Sequence, residues 1–134
     1  MAMNGLDLIM LIDDSATDNF INERIVQMSG ISKNTITKTN AKNALEYLLS
    51  KKDNGEDIPQ LILLDLNMPV VNGFAFLEEF IKLPENILKR AKIVILTSSE
   101  KIEDIDAIKK NPVIMDYISK PLSEKNLQNL LLKL

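Results

Sequence analysis

The chain has 134 residues, a formal net charge of −3 and 46% hydrophobic residues, enough for one ordinary domain with a real core. It contains neither cysteine nor histidine, which excludes disulfides, thiolate or imidazole metal sites and any catalysis by a histidine base. The acidic balance without a basic cluster speaks against direct nucleic-acid binding, and no apolar run approaches the ~20 residues that insert across a bilayer.

Any chemistry must therefore come from Asp, Glu, Lys, Ser, Thr and Tyr. Oxygen ligands of that kind suit a hard cation such as Mg²⁺. The first residues, MAMNGLD, lack a basic segment followed by a long apolar one, so no signal peptide is expected. The absence of cysteine fits a reducing compartment, and a cytoplasmic location is expected.

Leu8 to Ile12 is a short apolar run ending at Asp13-Asp14, the pattern of a strand buried on both faces. Ser15 is placed to cap a helix in which Ile21, Ile25 and Met28 form a stripe, and Gly30 stops it. Thr35 to Thr39 reads as a second strand. Asn40 caps the next helix, with Ala41, Ala44, Leu45, Leu48 and Leu49 as its stripe, before the polar loop Lys51 to Asp57. Leu61 to Asp65 is a third strand, followed by Pro69 and Asn72-Gly73, which carry turn chemistry. Phe74, Leu77, Phe80 and Ile81 trace a helix ending near Pro84. Pro84 to Arg90 shows no clear pattern.

Ile93 to Leu96 is a fourth strand, closed by Thr97-Ser98-Ser99. Ile102, Ile105 and Ile108 give a thin helical stripe, read as packing on the sheet rather than as a partner surface. Val113 to Ile118 is a fifth strand leading to Ser119-Lys120-Pro121. Ser123 caps a last helix with Leu127, Leu130, Leu131 and Leu134 as its stripe. Five β-α units in strict alternation predict an α/β fold, a doubly wound five-stranded parallel sheet with helices on both faces. The whole of 1–134 reads as a single domain.

Functional groups of such folds gather beyond the carboxyl ends of the strands. Here those ends carry Asp13 and Asp14, Asp65, Thr97 and Ser98, and Lys120. Taken singly, each has an ordinary explanation as a cap, a turn former or a solvated lysine. Together they place three acids, a hydroxyl and an ammonium on one edge of the sheet. Carboxylates crowded in a partly dry cleft repel one another unless a cation compensates. Mg²⁺ is held by one or two carboxylates, waters and a phosphoryl oxygen, so the ligand absent from the chain is a phosphoryl group. Asp65 is central and is the candidate nucleophile, forming an acyl phosphate. Lys120 and Mg²⁺ would neutralise the transferring group, and the Thr97 hydroxyl would donate to it. No residue offers a strong base toward water, so the acyl phosphate is expected to turn over slowly.

Asp13-Asp14, Asp65-Leu-Asn-Met-Pro-Val-Val-Asn-Gly73, Thr97 and Lys120-Pro121, in this order and at these intervals, resemble the receiver domain of two-component response regulators. The resemblance covers essentially the whole chain and is nearest to single-domain, chemotaxis-type regulators with no output domain. It implies a (βα)5, flavodoxin-like fold with Asp65 as phosphoacceptor. It further implies that Asp14 and Asp65 hold Mg²⁺ (or Mn²⁺) by carboxylate, Asp13 partly through water and Asn67 by its backbone carbonyl. By the same resemblance Lys120 would pair with the carboxylate and then with the phosphoryl group, and the Lys120-Pro121 bond would be cis. Thr97 and Tyr117 would form a switch, and Asn67 and Ser99 would tune dephosphorylation. The donor would be a phosphohistidine on a histidine kinase or histidine phosphotransfer protein, and a downstream protein not identifiable from the sequence would read the result.

The segment NPVIMD before Tyr117 lacks the family's usual Gly-Ala step, Asn72 stands where Asp is common, and the hydroxyl role of Thr97 competes with Ser98. The expected protein is a switch and not an enzyme, beyond accepting and slowly losing its own phosphoryl group. Two alternatives are a small Mg²⁺-dependent aspartyl-phosphate phosphohydrolase and a receiver-like interaction module that is never phosphorylated. The hydrolase suffers from Asn67 standing where a second acid would serve as general acid/base.

Overall fold

The computed structural model describes residues 5–65, 70–98 and 101–134, with backbone alone for 70–73. The chain runs β1 (Leu6–Ile12), α1 (Ala16–Ser29), β2 (Ser32–Lys38), α2 (Ala41–Ser50), a 3₁₀ turn (Gly55–Asp57), β3 (Leu61–Asp65), α3 (Val70–Phe80), α4 (Glu85–Arg90), β4 (Lys92–Thr97), α5 (Ile102–Lys110), β5 (Ile114–Ser119) and α6 (Glu124–Leu131). All five strands are parallel, in the order β2-β1-β3-β4-β5. The chain winds outward from β1 to β2, then crosses to the other side for β3, so strand order reverses between β1 and β3. In open α/β sheets that reversal opens a crevice at the carboxyl ends of the two strands.

The three central strands are apolar on both faces, because helices cover both. Their side chains alternate strictly. Met10, Ile12, Ile62, Leu64, Ile93 and Ile95 join one core with Ala44, Leu48, Phe76, Phe80, Ile87 and Ile108 from α2, α3, α4 and α5. Ile9, Leu11, Leu61, Leu63, Val94 and Leu96 join the other with Val26 from α1 and Leu127 and Leu130 from α6. The three side-chain caps stand where expected: Ser15, Asn40 and Ser123 accept from the backbone N–H groups of Asp18, Asn43 and Asn126. Gly30 ends α1 with φ of 71°, in the left-handed region that glycine occupies without a steric penalty.

Several helical faces differ from the sequence pattern. In α1 the stripe Ile21, Ile25, Met28 does not point inward: Ile21 is 50% and Met28 69% exposed. Asn19 and Val26 are the buried residues of this helix, with Ile25 only half-buried. The buried Asn19 is bonded to two strand-end carbonyls, which turns the helix by about one position and hides its inward face from a purely hydrophobic reading. In α2 Leu49 is exposed while Ala44 and Leu48 are buried; α3 buries Phe76, Leu77 and Phe80, while Ile81, one residue past its end, is exposed. In α5 Ile108 is buried, Ile105 is half-buried and Ile102 is 73% exposed, so the packing expected of the stripe rests on its carboxyl-terminal end.

Within Pro84 to Arg90, Glu85–Arg90 is a helix, α4, of six residues. A helix that short shows no periodicity: Ile87 is its one fully buried residue, with Leu88 packed beside it against the same core. The orientation of α1 yields a direct expectation. Val26→Ala, which empties a fully buried site, should cost about 2 kcal/mol in urea denaturation. Ile21→Ala should stay within about 0.5 kcal/mol of wild type.

Candidate functional site

Strand register brings the functional side chains together. Ile12 pairs with Leu64, so Asp13 and Asp65 are the next residues along two adjacent strands. Asp65 pairs with Leu96, one residue before Thr97. Thr97 pairs with Ser119, one residue before Lys120, and the Lys120 backbone N–H donates to the Thr97 carbonyl at 2.8 Å. The peptide bond that follows, Lys120-Pro121, is cis.

Asp65 and Asp13 are each only 1% exposed, and Thr97 is also buried. Lys120 Nζ lies 2.6 Å from Asp65 Oδ2, an ammonium on a mostly buried side chain. Asp13 Oδ1 accepts from the Ser15 backbone N–H at 2.9 Å, and the Asp13 backbone N–H donates to the Lys38 carbonyl at 3.1 Å. Burial is the main reason the Asp13 carboxyl is pushed up from 3.8 to about 6. The hydrogen bond and negative charge of Asp65 add to this, while the Ser15 N–H and the Lys120 charge oppose it.

A third acid joins this pair. Carboxylate oxygens of Asp13, Asp18 and Asp65 all lie within 4.8 Å of one another. Asp18 comes from the first turn of α1. There an acid is ordinarily explained by the helix dipole, and so the sequence offered no separate signal for it. Asp14 does not belong to this group. It is exposed and lines the neighbouring groove between α2 and α3. Three carboxylates against one ammonium leave an excess of negative charge, and every available donor is oxygen. That donor set fits a hard divalent cation such as Mg²⁺ or Mn²⁺.

Of the two adjacent hydroxyl residues, Thr97 is buried at the site and Ser98 is exposed. Tyr117 lies on β5 opposite Ile95, half-buried against the core, with Lys109 Nζ 6.0 Å from the centre of its ring. Asn67 and Ser99 lie outside the described residues. A further residue that sequence reasoning passed over is Asn19. It is buried, and its Nδ2 donates to the carbonyls of Asp13 at 3.1 Å and Lys38 at 3.0 Å.

The raised Asp13 carboxyl sets a pH dependence. The folded protein holds a proton that the unfolded chain releases between about pH 4 and pH 6, so stability falls as pH rises through that window and is level above it. Asp13→Asn keeps an oxygen for the Ser15 N–H and removes the charge. In metal-free buffer at pH 7.5 it should be more stable than wild type by about 1–3 kcal/mol, the gain vanishing near pH 4. Urea midpoints across pH measure this, and a destabilised Asp13→Asn protein at pH 7.5 contradicts it.

Residues 9–132 match the sequence profile described as the response regulator receiver domain. The chain is 31% identical over 121 residues to the probable methanogenesis regulatory protein FilR2 of Methanothrix harundinacea, covering 90% of this chain and 76% of that protein. It is 32% identical over 105 residues to the response regulator Rcp1 of Synechocystis, covering 78% of this chain and 70% of that one. Its structure is similar to that of a response regulator receiver protein from Dyadobacter fermentans, with a TM-score of 0.84 and 34% identity over 94% of this chain and 95% of that one.

Proposed function

This chain belongs to the response regulator receiver domain family, and we propose that it accepts a phosphoryl group on Asp65 and changes its partner binding as a result. The observation that carries this reading is the buried Asp65 carboxylate, held against Lys120 at 2.6 Å and faced by Asp13 in the crevice between β1 and β3.

In the proposed step an Asp65 oxygen attacks the phosphorus of a phosphohistidine on a kinase or phosphotransfer protein. A phosphorus–oxygen bond forms, the phosphorus–nitrogen bond breaks, and the imidazole leaves with the electron pair. The donor supplies the histidine that this chain lacks. Asp13, Asp18 and Asp65 would hold Mg²⁺, which supplies charge neutralisation on the transferring group when bound. Lys120 follows the charge from the carboxylate to a phosphoryl oxygen, and Thr97 donates its hydroxyl to another. In this reading Asp13 and Asp18 are committed to the cation, and Asn67 stands two residues after Asp65 where a second acid would serve as general acid/base, so the reading is of a switch rather than a turnover enzyme.

The acyl phosphate acts by population shift, favouring the arrangement in which the Thr97 hydroxyl is drawn to it. Tyr117, two register positions back on the neighbouring strand, then moves into the space released beside the core. A partner reads the resulting face of α5 and β5, where Ile102 already offers exposed apolar surface. No helix among the described residues is long and apolar enough to cross a membrane, and the proposed kinase partner places the protein in the cytoplasm.

Incubation with acetyl phosphate or phosphoramidate and Mg²⁺ should label the wild type with a hydroxylamine-labile phosphoryl group. Asp65→Asn should show no label above background. Lys120→Met should label at least about 100-fold more slowly. Labelling of Asp65→Asn at the wild-type rate would sink the proposal, and sustained multi-turnover hydrolysis of a small phosphate ester would favour a phosphohydrolase instead.

A further inference from the structure

Asn19 is a polar residue at a position where the fold wants an apolar one. It stands on the buried face of α1, one turn in from the Ser15 cap, and is 3% exposed. Its Oδ1 is buried without a hydrogen-bond partner among the described residues. A stranded buried acceptor costs about 1–3 kcal/mol, so an aliphatic side chain of similar volume would serve simple packing better. What the amide has and an aliphatic lacks is its two N–H groups. Both are used, one on the Asp13 carbonyl at 3.1 Å and one on the Lys38 carbonyl at 3.0 Å.

Those carbonyls belong to the residue that follows β1, itself one of the acids of the site, and to the last residue of β2. The Lys38 carbonyl also accepts from the Asp13 backbone N–H at 3.1 Å, so Asn19 closes a three-way junction between the end of β2, the residue after β1 and the first turn of α1. The helix side of the junction is fixed in turn, because the Asn19 N–H donates to the Ser15 carbonyl at 3.0 Å. Asp13 is thereby held at both ends. Its carbonyl is pinned by Asn19 and its Oδ1 by the Ser15 N–H at 2.9 Å. A carboxylate facing a second buried carboxylate relaxes by turning toward water unless something prevents it. Asn19 stands where it can prevent it, and the residue before it, Asp18, is the third acid of the group.

We propose that Asn19 is a positioning residue for phosphoryl acceptance: its amide holds the Asp13 backbone so that the Asp13 and Asp18 carboxylates stay turned toward Asp65 in the absence of a cation. The inference rests on the acceptor reading of Asp65 given above. It assigns to Asn19 the preorganisation of the acids, not contact with the phosphoryl group.

The test is calorimetric titration of Mg²⁺ into wild type, Asn19→Ala and Asn19→Ser, with the folded fraction of each fixed beforehand by thermal melting. The expected result is a rise of about tenfold or more in the Mg²⁺ concentration at half-saturation, the scale on which residues that orient metal ligands act. The labelled fraction at saturating Mg²⁺ should return to the wild-type level. A merely structural role would lower the amplitude with the folded fraction and leave the midpoint where it is. A midpoint within twofold of wild type in whichever variant folds overturns the proposal, as does the absence of any Mg²⁺ binding by wild type. Failure of wild type to become labelled, with the shifted midpoint intact, would count against the acceptor reading and leave the positioning role standing.

Discussion

Two carboxylates that repel each other, buried side by side at the ends of β1 and β3, are the constraint around which the molecule is built. Parallel pairing of two apolar strands in register forces Asp13 and Asp65 to emerge together. Burial then denies them the water that would screen their charges. The surrounding groups answer that repulsion. The Ser15 N–H, at the positive end of α1, stabilises one oxygen of Asp13. Lys120 arrives from β5 to neutralise Asp65, and its own backbone is fixed by the Thr97 carbonyl. The result is a site that holds charge in the wrong balance for its own stability and in a suitable balance for a divalent cation. Strain of this kind at a functional site is offset elsewhere in the fold.

Much of the offset lies in the two cores and at the far end of the sheet. Arg90, the last residue of α4, donates from Nε to the Ile58 carbonyl at 2.7 Å and lies 3.5 Å from Asp7 on β1. It ties the entrance of β3, the start of β1 and the run into β4 into one block. These contacts lie at the amino-terminal ends of the strands, away from the acid group at the carboxyl ends.

The sheet and much of the site were legible because their causes are local. Continuous apolar runs of four to five residues bounded by turn residues read as strands covered on both faces, and those of β1, β3 and β4 end at Asp13, Asp65 and Thr97. The caps at Ser15, Asn40 and Ser123 announce themselves by residue type. What escaped depends on tertiary geometry. The rotation of α1 follows from a buried asparagine that a hydrophobic pattern counts as outward-facing. Ile81, which the pattern counts as inward, falls one residue past the end of α3 and is exposed. Asp18 looked like an ordinary first-turn acid, and only the fold brings its carboxylate within 4.8 Å of those of Asp13 and Asp65. α4 is too short to carry a period at all.

The last consequence concerns β5. It pairs with β4 alone, its residues are mostly half-buried, and its register slips by one residue between Ile93 and Val94. β3, by contrast, is bonded on both sides and buried along its whole length. Local opening starts where few apolar contacts and unpaired edges coincide, so backbone amides of β5 should exchange with solvent well before those of β3. The Asp65 carboxylate therefore rides on a stiff member, while its counter-charge Lys120 directly follows a compliant one. Opening of the sheet at β5 would move the ammonium before it moves the carboxylate, which β1 and β4 hold in register from both sides.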